Sequence, residues 1–113
     1  MVAVFAISQP MRQELRLRQQ LSDSAESIPA NIAEGFNQST DRAFARYLGI
    51  AAGSAGELRV HLDAVAEIGV VRRERVAELI NEAREMENML DGFIRYLRRC
   101  DRKDRHRTPP DDD

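Results

Sequence analysis

An all-α fold, an antiparallel up-down bundle of long helices, is predicted by three features of this sequence. Apolar residues recur at alternating spacings of 3 and 4 through long stretches. Only a few turn-forming residues separate those stretches, which makes consecutive helices antiparallel neighbours. The composition is that of a helical protein, with 32% charged residues, 5% aromatic residues and no Trp. At 113 residues the chain holds one core and one domain, with no length left for a separate catalytic module. Its 17 basic and 19 acidic residues leave a net charge of −2, and 16 of the basic residues are Arg, Lys103 being the exception.

The first helix is expected over about residues 9–35. Ser8 is placed to cap it and Pro10 falls in its first turn. Leu17, Leu21, Ala25, Ile28 and Ile32 then form one apolar stripe that passes Pro29 without changing phase. That continuity predicts a single kinked helix, ended by Gly35 and the turn NQST at 37–40. The second helix, about 40–68, carries Phe44, Leu48, Ala51, Ala55, Leu58, Leu62 and Val65 on one seam. Ser39 or Thr40 serves as its N-cap, Asp41 suits the first turn, and Gly69 is a natural terminator. The third helix, about 72–100, has the longest seam: Val76, Leu79, Ala83, Met86, Leu90, Phe93, Leu97 and Cys100. Residues 101–113, DRKDRHRTPPDDD, lack periodicity and are expected to form a disordered charged tail after a bundle domain of residues 1–100.

One cysteine, Cys100, excludes an intrachain disulfide and a cysteine-based zinc site. The apolar start MVAVFAI is too short for a signal peptide or a membrane span, so no membrane association and a cytoplasmic location are expected.

The second helix contains GIAAGSAG, and each of Gly49, Gly53 and Gly56 costs roughly 0.5–1 kcal/mol relative to Ala inside a helix. Close approach of a neighbouring backbone is the usual compensation. Pro29 removes an N–H from the first helix, leaving carbonyls that need another donor. Ser24, Ser27, Asn31 and Glu34 form a polar stripe beside it, and Ser54, Glu57 and His61 form a second on the next helix. The expectation is a tight crossing in which Pro29 meets the glycines and the two stripes form a hydrogen-bonded lock. The alternative is chemical: Glu34, Glu57 and His61 are metal-capable, as carboxylate–His clusters in bundle cores are. The spacing opposes it, because di-iron bundles repeat Glu-x-x-His on two helices and this chain has one Glu-x-x-x-His. With no nucleophile–base pair and no phosphate loop, no enzyme and no cofactor are expected.

Residues 95–107 hold Arg95, Arg98, Arg99, Arg102, Lys103, Arg105 and Arg107 against Asp101 and Asp104. Part of this complements a helix C-terminus. The excess makes a candidate phosphate-contacting face, opposed by Asp111, Asp112 and Asp113 and by the lack of interleaved aromatic residues.

SIPANIAEGF at 27–36, F-x-x-Y-L at 44–48 and IAAGSAGEL at 50–58 resemble the four-helix-bundle family of 23S rRNA intervening-sequence proteins, over about residues 12 to 98. The resemblance implies an antiparallel four-helix bundle without catalytic activity, often assembled as a ring-like pentamer. In a related branch, the accessory proteins of diversity-generating retroelements, a basic pentamer engages RNA and the reverse transcriptase. Two departures stand out. Members open with an amphipathic helix for which this sequence has no room, so it supplies three of the four helices, and either the true start lies upstream or a partner chain covers the exposed groove. This chain is also slightly acidic. The expected function is therefore a non-enzymatic, homo-oligomeric adaptor that binds RNA or a ribonucleoprotein partner through its basic C-terminal face.

Overall fold

Three helices follow one another in the computed structural model: α1 (Gln9–Phe36), α2 (Asp41–Ile68) and α3 (Arg73–His106). Residues 9–106 are described, with side chains from residue 12 to residue 104; Ser8, the MVAVFAI start and Arg107 lie outside the described residues, as does the Arg105 side chain. Local chemistry accounts for the boundaries. Thr40 is the N-cap of α2, its hydroxyl accepting from the Ala43 backbone N–H at 3.1 Å. Gly69 ends α2 in the left-handed region at φ 80°, donating its N–H to the Val65 carbonyl at 3.2 Å. α1 runs unbroken through Pro29.

The third helix departs from expectation, continuing six residues past Cys100 to His106. The stretch lacks an apolar period but also lacks Gly and Pro, and its cations suit a helix C-terminus. Its first turn is also anchored, because Arg98, Asp101 and Arg102 lie beside Arg42, Ala45 and Arg46 at the start of α2.

The central helix α2 packs against both others, whereas α1 and α3 make no close backbone approach to each other among the described residues. α2 is thus the middle helix of the three. Ala51 and Ala55 have no solvent exposure, and their small size lets side chains of the flanking helices meet over α2. One core cluster joins Ile28 of α1, Leu48, Ala51 and Ala55 of α2, and Leu90, Ile94 and Leu97 of α3. A second, towards the start of α1, joins Leu17, Leu62, Val65 and Val76. Burial of a side chain such as Leu48 contributes roughly 1.5–3 kcal/mol.

The long seam of α3 is divided by this arrangement. Val76, Ala83, Leu90 and Leu97 are buried, while Leu79, Met86 and Cys100 are half-buried and Phe93 is exposed, its ring 5.2 Å from that of Phe44 on α2. Alternate seam positions are thus fully buried and only partly so.

Candidate functional site

The polar stripes of α1 and α2 do meet, over part of their length. Asn31 Nδ2 donates to the Ser27 carbonyl at 2.7 Å and to Ser27 Oγ at 3.0 Å. Ser27 Oγ lies 2.7 Å from Ser54 Oγ across the helix pair. With its oxygen already accepting from Asn31, the Ser27 hydroxyl is free to donate to Ser54. Glu57 and His61 lie further along the outer side of this seam, lining an open groove with Gln20, Asp23 and Ser24.

Glu34 does not join them. The helices are antiparallel and registered at Ser27 and Ser54, so Glu34 runs one way along the seam while Glu57 and His61 run the other. At 1.5 Å per residue this separates Glu34 from Glu57 by about 15 Å and from His61 by about 21 Å along the axis. Among the described residues no three His, Cys, Asp or Glu side chains come together as metal ligands. The metal-binding alternative therefore lacks its geometry. Spacing on each helix was visible in the sequence, but the register between helices was not.

The glycines require a correction. No heavy atom beyond the local helix lies within 4 Å of where a Cβ on Gly49 or Gly53 would sit, and Pro29 is exposed. These residues face outward and make no tight crossing among the described residues. Gly56, the third glycine of that stretch, and Gly35 do accept close neighbours. A Cβ on Gly56 would sit 3.2 Å from Glu87 Oε1, and one on Gly35 would sit 2.7 Å from the Phe44 ring. At Gly56 the space is taken by an ion pair between Arg59 and Glu87, whose second bond, Nη2 to Oε1, measures 3.2 Å. The bond to Glu87 raises the Arg59 pKa above its ordinary value. At Gly35 the Phe44 ring is held by Phe36, at 4.8 Å between centroids, and by Phe93, at 5.2 Å. The sequence signal at Gly35, the last turn of α1 before an aromatic-rich helix start, had been read only as a helix end.

At the other end of α3 the basic run gains partners that sequence spacing missed. Arg42 and Arg46, one turn apart near the start of α2, line one cleft with Arg98, Asp101 and Arg102. Arg95, Arg98, Arg99 and Arg102 line an adjoining one. The antiparallel turn that joins α2 to α3 necessarily brings the start of one beside the end of the other, so this clustering follows from topology. Arg42 lies in the first turn of α2, at the positive end of its dipole, where Asp41 supplies a carboxylate, and Asp101 supplies another in the cleft. On a neighbouring face the Tyr96 hydroxyl bonds Cys100, which raises its pKa above that of an ordinary phenol.

A hydrogen-bonded seam between two helices, an alanine-rich middle helix and a cationic end, with no strand among the described residues, place the molecule in the class of up-down helical-bundle proteins. The chain belongs to the 23S rRNA-intervening sequence protein family, whose model matches residues 1–92. The match takes in α1, α2 and α3 as far as Gly92, so the basic turns of α3 lie beyond it. No curated protein and no solved structure matches the chain. Among the described residues no helix is long and apolar enough to cross a membrane.

Proposed function

We propose that this chain is a non-enzymatic, self-associating bundle protein of the cytoplasm, serving as an adaptor that binds RNA or a ribonucleoprotein partner through its basic end. The observation that carries this reading is the convergence of Arg42 and Arg46 of α2 with Arg98 and Arg102 of α3 on one cleft. Four guanidinium groups against the one carboxylate of Asp101 give the cleft a net positive field within a chain whose net charge is −2. Arg recognises phosphate through paired donors, and the sugar–phosphate backbone supplies phosphates at regular spacing. The site holds no exposed aromatic side chain among its lining residues, so contact is with backbone shape and charge rather than stacked bases.

The test is fluorescence anisotropy with labelled RNA, single-stranded and hairpin, over a range of salt concentrations. Replacing Arg42, Arg46, Arg98 and Arg102 by Gln should weaken binding and flatten the log K against log salt slope by roughly 0.7–0.9 per arginine engaged. Unchanged affinity and slope in a folded variant would remove this end as the RNA site.

A further inference from the structure

The open groove between α1 and α2 holds a polar group that the fold does not use. Ser24 lines it and is only 5% exposed, yet its hydroxyl has no hydrogen-bond partner among the described residues. Buried polar groups normally have one. No buried side-chain oxygen of the described residues is cut off from both a partner and solvent, so this hydroxyl opens into the groove.

Acceptors follow one another along the groove at successive levels. From the contact between Ser27 and Ser54, Ser24, Asp23 and Glu57 stand about 4.5–6 Å along the antiparallel pair. Gln20 and His61 stand level with each other about 10 Å along. Ile50 lies about 6 Å the other way and makes that end apolar. Asp23 and Glu57 are exposed carboxylates, and no Arg or Lys lines the groove. Asp23 Oδ1 accepts from Gln19 Nε2 at 2.8 Å, whereas Glu57 has no ion pair or hydrogen bond among the described residues.

We infer that this groove binds a linear aliphatic polyamine, whose ammonium groups donate to Ser24, Asp23 and Glu57 and whose methylenes lie along the helix pair towards Ile50. Ionised carboxylates only accept, so their complement is a cation rich in N–H donors. A metal ion does not fit, because no three ligating side chains converge here. Ammonium groups joined by methylenes meet acceptors at successive levels and lay an apolar stem on Ile50, as a lysine side chain does on a protein surface. The site is opposite in sign to the arginine cleft and independent of the function proposed for that cleft.

Isothermal titration of the full chain with spermidine at physiological ionic strength tests the site. One saturable event per chain is expected. Ser24→Ala should weaken it about five-fold and Glu57→Gln about ten-fold, whereas Glu82→Gln, on an exposed position of α3, should leave it unchanged. In isotope-labelled protein, the amide shifts that spermidine causes should fall within residues 20–27 and 50–61. Ser24→Ala should also melt no lower than wild type, since the hydroxyl bonds nothing in the fold. A clearly lower Tm would show that it has a partner there and would overturn the inference. Absence of saturable binding by the wild type overturns it too. So does an equal loss in Glu82→Gln and Glu57→Gln, the mark of diffuse charge attraction, or equal displacement by magnesium chloride, the mark of an inorganic cation. Light scattering without spermidine separates the other source of the same chemistry. If Ser24→Ala or Glu57→Gln takes apart an assembly that the wild type forms, the groove holds a cationic side chain of another copy and the inference fails.

Discussion

Gly35 and Gly53 make opposite predictions for the same substitution, and the pair tests the packing account directly. An alanine Cβ at Gly35 would lie 2.7 Å from Phe44 Cδ1, 3.0 Å from Cε1 and 3.4 Å from Tyr47 Cβ. The Phe44 ring has little room to yield, since Phe36 and Phe93 flank it at centroid distances of 4.8 and 5.2 Å. Overpacking of this kind costs about 1–3 kcal/mol. Removing a helical glycine returns at most about 0.5–1 kcal/mol, and less in the last turn. Gly35→Ala should therefore lose about 1–2 kcal/mol. Gly53 sits in the middle of α2 with open space where its Cβ would be, so Gly53→Ala should gain about 0.5–1 kcal/mol from helix propensity alone. For a chain of 113 residues, about 1 kcal/mol corresponds to a Tm change of about 4 °C. Thermal melts followed by circular dichroism at equal protein concentration should show Gly35→Ala lower by about 4–8 °C and Gly53→Ala higher by about 2–4 °C. If both variants moved in the same direction, the assignment of close and open glycines would be refuted.

Two further substitutions test the seam and the cap. Ser54→Ala removes the partner of the Ser27 hydroxyl while Asn31 still donates to its oxygen, so urea unfolding should show a loss of about 0.5–1.5 kcal/mol; no change would mean that the pair of serines holds nothing together. Gly69→Ala forces a side chain into the left-handed region at φ 80° and should destabilise by about 1–2 kcal/mol, read from the same denaturation curve. A wild-type midpoint there would mean that the turn relaxes freely.

Much of the architecture was legible in the sequence because it depends on residues close together in the chain. Thr40 and Gly69 mark the ends of α2 through their own backbone and side-chain chemistry. The apolar stripe crossing Pro29 without a phase change identified α1 as one helix. The site was legible only in fragments. Ser27, Asn31 and Ser54 were recognisable as polar faces, and Arg98 and Arg102 as part of a basic run, but Arg42 and Arg46 were missed. Of Gly49, Gly53 and Gly56, all expected at close contacts, only Gly56 has a near neighbour, in Glu87, while Gly35, where none was expected, has a ring against it. Nothing in the local sequence distinguishes a glycine that faces a neighbour from one that faces solvent.

The sequence by itself determined three amphipathic helices, their caps and their antiparallel order, since each follows from helical periodicity and short connections. Only the tertiary structure decided the register and rotation between them. Register put Glu34 about 15 Å from Glu57 and so removed a metal cluster that spacing allowed. Rotation left alternate residues of the α3 seam partly exposed and set the Phe93 ring against Phe44, and topology carried Arg42 and Arg46 to the basic end. The physical reason is common to all of these. Periodicity fixes which residues share a face of one helix, but which face meets which is set by side-chain packing between segments far apart in the chain.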